Sequence, residues 1–496
     1  MGRFMRKRFG RLILILPVVL FLHFRATSTF FKLKSSTQTV PSNSASTLSS
    51  KPSTVPHPTG LPRYSTLPPS VRSTPTDGVI RFFQWRVSLD PTSYFDYDRL
   101  GTAYVQKARE TGDITYYQLA EQALEKSLLL ESTHPEAASA TAHLADVYFA
   151  EHRFSDAIMF ARKALSFKTG DVSEYATIGD CMMNRGDYDG ARVAYANLRP
   201  SSSRPYMGAG LTYLRESRFA ALDFAEGRSL QSIGRMEHAI AAARSAGMRA
   251  ENIAWTEYML GFEYFRRGQL AKAEKSYNAS LQDYPGYHRS LAGLGELRAA
   301  QGHFDDSIRL YQQAISVIPM PIYVAELGDV YAKTGRTEDA KKAYELVEYI
   351  ARLSVLSQSV FNRELALFYA DHDLKLDEAV TLAHNELASR EDVYTWDTLA
   401  FALYKKGRQQ AAAAADVNAL RLGTRDPLLF FHAGMIAHAR GDDRRARQYL
   451  QQALALNPHF HIFYADQARH ILDSIGPQPT ELPRRDYARE AADRHR

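Results

Sequence analysis

From Asp77 onward, apolar residues recur every three or four positions, the spacing that lines one face of a helix. Alternating runs rich in Val, Ile and Thr, of the kind strands need, are scarce in this stretch. The pattern therefore predicts an almost purely helical folded part. It also repeats. Spans of 34 residues at 254–287 and 288–321, and again at 393–426 and 427–460, align end to end, and 138–171 and 172–205 follow in the same register. Looser copies at 94–133, 206–247, 321–357 and 359–391 bring the expectation to about ten repeats. Val79 to Leu89, ending at Asp90-Pro91, reads as a lone helix capping one end, and the amphipathic run Ile462 to Ile475 as the cap of the other.

Ahead of the periodic part the pattern is different. A basic run, Met1 to Arg11, precedes an uncharged apolar run, Leu12 to Phe24. Its length suits a signal-peptide apolar region better than a full membrane span of about 20 residues. Ala26-Thr27-Ser28 supplies small residues for cleavage, whereas Phe30-Phe31 would extend a retained anchor across Arg25. Either way, the basic run stays in the cytoplasm and the rest is sent across the membrane. Ser, Thr and Pro dominate 35–76, which cannot bury enough apolar surface to order itself and reads as a disordered linker. The expected organisation is thus an export segment or signal anchor at 1–34, a linker at 35–76, the helical array at 77–475 and a disordered tail at 476–496.

Within the repeats, a large apolar residue and a small one are followed by an aromatic one turn later, and small residues occur twice in the second helix. Examples are Leu260-Gly261 with Tyr264, Ala273, Tyr277 and Pro285, and Leu294-Gly295 with Ser307, Tyr311, Ala314 and Pro319. Ile178-Gly179, Leu327-Gly328 with Tyr331, Trp396 with Leu399-Ala400, and Ala433-Gly434 with Ala446 and Ala453 continue the series. This pattern resembles the tetratricopeptide repeat family over most of 77–475. The resemblance implies an all-α fold, a right-handed α-solenoid of about ten helix-turn-helix repeats with capping helices and a concave groove. Small residues are needed where helix A crosses helix B, with Ala157, Ala191, Ala273, Ala340, Ala412 and Ala446 expected to face the glycines. More narrowly, Leu100-Gly101-Thr102-Ala103-Tyr104, Arg109-Glu110-Thr111-Gly112-Asp113 and Leu422-Gly423-Thr424-Arg425-Asp426 look like a group of bacterial exported or membrane-tethered tandem-repeat proteins of unassigned function.

Charge changes the picture only at the N-terminus. Residues 1–34 hold eight basic side chains and no acid, so against a net +6 the remaining chain carries −2. The array is not basic, and no nucleic-acid partner is expected. The single Cys181 falls beside Gly179 on a helix A and reads as a buried inert thiol. His459-Phe460-His461 lacks a third ligand at metal-binding spacing and reads as a surface turn. Gly208-Ala209-Gly210 lacks the strand and third glycine of a dinucleotide site, and reads as a loose helix contact in an irregular fourth repeat that should open first. Asn278-Ala279-Ser280 matches a glycosylation sequon inside a predicted helix. No cofactor, metal or catalytic set is expected.

The family's carboxylate clamp uses groove asparagines, but the corresponding positions here are Asp146, Asp180, Phe262, Glu296, Asp329, Phe401 and Met435. The line that carries an asparagine ladder in O-linked GlcNAc transferases holds His143, Thr177, Met259, Gly293, Glu326, Thr398 and His432. Neither known grip carries over. Instead, Trp255, Tyr258, Phe262 and Phe265 share one face of a helix A, the face that lines the groove in this family. Tyr394, Phe401 and Tyr404 take matching offsets in a later repeat, with Arg266 and Lys405 beside them. These nine form the candidate partner-binding groove, though packing against a neighbouring helix A would use the same aromatics. The expected function is a scaffold or adaptor at the cell envelope that binds an extended peptide or helix of a protein partner, with membrane contact through 1–34 if uncleaved. A structural subunit held by its outer faces is the alternative, and an unrecognised enzyme a third.

Overall fold

The computed structural model describes residues 12–13, 75–169, 171–199, 208–356, 359–360 and 362–476. The expected linker, the tail beyond Gly476, and all of the export segment except Leu12–Ile13 lie outside the described residues. Helix α1 (Pro75–Leu89) precedes ten antiparallel helical hairpins. Repeats one to five are α2/α3 (Tyr94–Thr111, Thr115–Leu130), α4/α5 (Ala137–Ala150, Phe154–Ser166), α6/α7 (Glu174–Asn184, Tyr188–Ala196), α8/α9 (Gly208–Ala225, Ser229–Ser245) and α10/α11 (Ala250–Arg266, Leu270–Asp283). Repeats six to ten are α12/α13 (His288–Ala300, Phe304–Val317), α14/α15 (Pro321–Lys333, Thr337–Leu356), α16/α17 (Asn362–Asp371, Leu376–Leu387), α18/α19 (Val393–Lys405, Gln409–Ala419) and α20/α21 (Pro427–Ala439, Asp443–Leu456). Helix α22 (Tyr464–Ser474) ends the array. The only sheet among the described residues is a two-residue parallel pairing of Leu12–Ile13 with Ser359–Val360. None of the described helices is long and apolar enough to cross a membrane.

The hairpins close because a helical glycine opens a notch that a helix-B side chain fills. A Cβ on Gly261 would lie 2.6 Å from the Tyr277 ring, and one on Gly179 2.2 Å from Tyr195. The expected alanines contribute differently from the simple reading. Ala273 meets Gly261 through its backbone oxygen, 3.2 Å from the would-be Cβ, while the aromatic four residues on occupies the space. Small residues on both helices thus let a tyrosine ring bridge them.

Helices A and B play unequal parts. Helix α10 buries 14 of its residues, from Glu251 through Phe265, whereas α11 buries only Ala273, Ser276, Tyr277 and Ser280. An amphipathic α11 is an outer helix with one face in water. A helix buried nearly all round needs neighbours on every side, and an open groove would not supply them. The fourth repeat, expected to be irregular, is a well-formed pair of 18- and 17-residue helices.

The missing neighbours come from the chain itself. The superhelix is wound so tightly that successive turns touch. At the third repeat, Arg390 Nε donates to Asn184 Oδ1 at 3.1 Å and the Val393 N–H to Tyr188 Oη at 3.2 Å. At the fourth, the buried Thr424 hydroxyl donates to the Ala225 carbonyl. At the fifth, Asn457 Nδ2 donates to the Phe265 carbonyl at 2.8 Å. These partners lie 206, 199 and 192 residues apart, so one superhelical turn takes about six repeats. Turns within repeats three to five are docked on the linkers that follow repeats eight to ten. Arg390 is fully buried at this seam, paired with Glu386 at 3.5 Å and Asp392 at 3.0 Å.

Candidate functional site

Winding the array shut converts the concave face into an enclosed lumen. A cavity of about 210 Å³ in it is walled by helices A of repeats five to nine, by the linkers before α20 and α22, and by α22 itself. Helix A supplies the walls because its outer face is already occupied by helix B, leaving positions such as 262, 296 and 329 pointing inward.

Five of the nine sequence-predicted residues line this cavity: Tyr258, Phe262, Phe265, Arg266 and Tyr394. The expected open aromatic strip, however, is not present. Trp255, Tyr258, Phe262, Phe265, Tyr394 and Phe401 are all buried. Phe262 packs on Phe224 with ring centroids 6.3 Å apart, and the Arg266 guanidinium lies over the Phe262 ring at 4.8 Å. Phe401 stacks on His432 at 3.8 Å and meets Tyr464 of the end helix at 5.9 Å. Tyr404 is half-buried against Phe401, and Lys405 is paired with Asp373 at 2.9 Å. The aromatics pack on neighbouring helices A, Phe262 on α8 and Phe401 on α20, as the alternative reading of the sequence allowed, and the next turn adds contacts at Phe265 and Arg266.

The lumen is acidic. Glu296, Glu326, Asp329, Glu364, Asp371, Asp397 and Asp426 line it, against Arg266, Arg289 and Arg363. Most of the acids are locally matched. His372 Nε2 sits 2.8 Å from Asp329 Oδ1, the Tyr464 hydroxyl donates to Asp371 at 2.5 Å, and His432 Nδ1 lies 2.9 Å from Asp397. Burial disfavours the His372 cation, but the hydrogen bond and charge of Asp329 outweigh it and raise its pKa. Burial pushes Asp371 up to about 6 despite the Tyr464 hydrogen bond. Arg266 Nε is 3.7 Å from Asp426, whose carboxylate also accepts from the Leu428 N–H as the N-cap of α20.

Histidines 459 and 461 lie in a turn before α22 as expected, His459 exposed and His461 half-buried, and both also border the cavity. His461 Nδ1 accepts from the Phe463 and Tyr464 N–H groups at 3.2 and 3.3 Å, capping α22, and burial lowers its pKa to about 4. An imidazole kept neutral in this way is an acceptor, which is what a helix N-terminus needs. Cys181 is fully buried and its thiol is raised well above the ordinary range by desolvation, in keeping with an inert packing role.

Ten stacked helical hairpins with small-residue notches, a capped far end and a wound inner face define an α-solenoid of the helical-repeat class. Family models described as tetratricopeptide repeat match residues 258–319, 293–351 and 429–460, about a quarter of the chain, so these residues carry tetratricopeptide repeats. No curated protein matches its sequence. Among solved structures it is similar to yeast Tom70, at 12% identity and a TM-score of 0.35 over 85% of this chain and 96% of that one. A tetratricopeptide repeat protein from Parabacteroides merdae matches at 15% identity and a TM-score of 0.31, covering 54% of this chain and 99% of its own. The Cut9-Hcn1 hetero-tetramer of the APC/C matches at 15% identity and 0.29, over 80% and 93%. The family assignment rests on the matched repeats, not on these superpositions.

Proposed function

We propose that this chain is a protein-interaction scaffold at the cell envelope that holds its partners on outer and terminal surfaces. The observation that carries this reading is the outward face of α1. Ile80, Phe83 and Val87 pack into the core of the first two repeats. The opposite face leaves Val79, Phe82, Trp85 and Leu89 exposed at spacings of three and four, with Phe95 beside them. A capping helix keeps its outer face polar so that stacking stops. This one is apolar on both sides, and Phe82 and Trp85 are 51% and 55% exposed. A partner's amphipathic helix laid on this face would continue the stack as another repeat does.

Covering half of each of two aromatic side chains removes on the order of 100 Å² apiece from water, about 2–3 kcal/mol for each ring. Groove capture of an extended peptide, the first reading from the sequence, has less support because the aromatic face is packed and the inner face surrounds a cavity of only about 210 Å³. The envelope location rests on the basic and apolar pattern of residues 1–34. A photocrosslinking amino acid placed at position 82 or 85 in the living host tests the proposal, with exposed Val417 on an outer helix as the comparison site. A discrete protein adduct from 82 and 85, absent from 417, is the expected outcome. Equal labelling at all three, or none at α1, would refute it.

A further inference from the structure

We propose that the lumen binds a small organic cation, whose ammonium or guanidinium group sits between the Glu296 and Glu326 carboxylates and the rings of Tyr258, Tyr277 and Tyr394. The site does not depend on the partner surface at α1. Glu296 and Glu326 come from the inner faces of consecutive helices A, α12 and α14, and both line the cavity. Asp329, Asp371, Asp397 and Asp426 each have a histidine, tyrosine or arginine partner. Glu364 has Arg363 at 3.8 Å. Among the described residues, no cation lies within ion-pair distance of Glu296 or Glu326; the Tyr311 hydroxyl hydrogen-bonds Glu326, so the two carboxylates lack a counter-charge at contact distance.

A second observation is independent of the acids. The hydroxyls of Tyr277 and Tyr394, both on the cavity wall and more than nine-tenths buried, have no hydrogen-bond partner. Buried phenols left without partners each forfeit about 1–3 kcal/mol, so such groups mark where something else belongs. Aromatic faces around paired carboxylates favour an organic cation. The cavity size excludes a bare metal ion as the sole occupant. At about 30 Å³ per water, 210 Å³ corresponds to about seven waters, the room of an amino-acid-sized molecule or one long side chain.

Without a counter-cation the pair should share a proton. Desolvation raises Glu296, opposed by Arg266 and reinforced by Asp426. Desolvation, then the Glu296 charge, raises Glu326 well above the carboxylate range, with Asp329 adding to it and the Tyr311 hydroxyl and Arg266 opposing. A bound cation ionises the pair, so binding releases protons and tightens as pH rises.

The test is calorimetric titration of the full chain with agmatine, in two buffers of different ionisation enthalpy, at pH 5.5 and 8. The capped peptide acetyl-Ala-Arg-Ala-amide is run in parallel. We expect binding with proton release, at least tenfold tighter at pH 8, and at least tenfold weaker in E296Q/E326Q. Tyr394→Phe should weaken binding severalfold with helicity and thermal midpoint unchanged. Tighter binding of agmatine assigns the cation to a free small molecule, and tighter binding of the peptide to a partner's basic side chain. The proposal fails if neither binds. It also fails if the uncharged butylurea binds as tightly as agmatine, or if binding by folded E296Q/E326Q or Tyr394→Phe is unaltered.

Discussion

The contact between superhelical turns can be isolated by one substitution made at two equivalent glycines. Gly227 and Gly407 both end a helix A with φ near +70°, at +72° and +76°. Alanine in that conformation costs about 1–2 kcal/mol wherever it is placed. The surroundings differ. Nothing lies within 4 Å of a Cβ on Gly407, whereas one on Gly227 would stand 2.3 Å from the carbonyl oxygen of Gly423, in the next turn. That oxygen is backbone and cannot swing aside, so the turns must part by about 1 Å at this point. Parting them breaks the buried hydrogen bond from Thr424 to the Ala225 carbonyl, for another 1–3 kcal/mol or so. Gly227→Ala should therefore destabilise by about 1–3 kcal/mol more than Gly407→Ala. With a denaturant dependence of about 2 kcal/mol per molar urea, the midpoints should differ by roughly 0.5–1.5 M. Small-angle scattering should show an expanded particle for Gly227→Ala alone. Equal midpoints and equal radii in the two variants would mean that the turns are not in contact in solution, and the enclosed lumen would go with them.

Three further outcomes follow from the same structure. Arg390→Met leaves the fully buried Glu386 without its partner, while Asp392 keeps Arg363 at 3.3 Å, and should destabilise by about 3–5 kcal/mol; Arg390→Met with Glu386→Gln should recover much of this in thermal melts. Burial holds Glu263 at about 8, Glu386, Asp416 and Glu174 at about 7, and Asp180 at about 6, all above their unfolded values. The native state therefore binds these protons more tightly, its advantage is complete below about pH 4 and is lost as pH rises through 6 to 8, and the thermal midpoint at pH 5.5 should exceed that at pH 8.5. Residues 1–34 fused to a reporter that is active only after export should give activity, and replacing the apolar run Leu12 to Phe24 with serines should abolish it.

Each repeat was legible because its information is local. Leu260-Gly261, Tyr277 and Ala273 lie within one 34-residue unit, and a notch and the ring that fills it recur in step along the chain. The closure was not legible, since its partners sit some 200 residues apart in turns that read as ordinary caps: nothing distinguishes Gly227 from Gly407 in sequence. For the aromatic strip the sequence left two readings, ligand face or packing on the neighbouring helix A, and Phe262 on Phe224 follows the second. The long sequence separation also hid the contact of Thr424 with the turn of the fourth repeat. Glu296 and Glu326 already stood at inward positions in the sequence, where the absence of asparagine hid what carboxylates at those places do. The apolar spacing of Val79, Phe82, Trp85 and Leu89 was visible too, but a second stripe on the same helix carries Ile80 and Phe83, and only the fold decides which one is covered.

An open solenoid tolerates gain or loss of a unit anywhere, since every repeat sees only its neighbours. This chain has given up that freedom. Its seams at Asn184 with Arg390, Ala225 with Thr424 and Phe265 with Asn457 all count the same six repeats. Deleting one repeat between them would bring the Asn184 turn opposite Thr424 and the Ala225 turn opposite Asn457, so every latch would face the wrong strike plate. The number of repeats is then as much a part of the design as any residue, and such an array must lengthen at its ends or not at all.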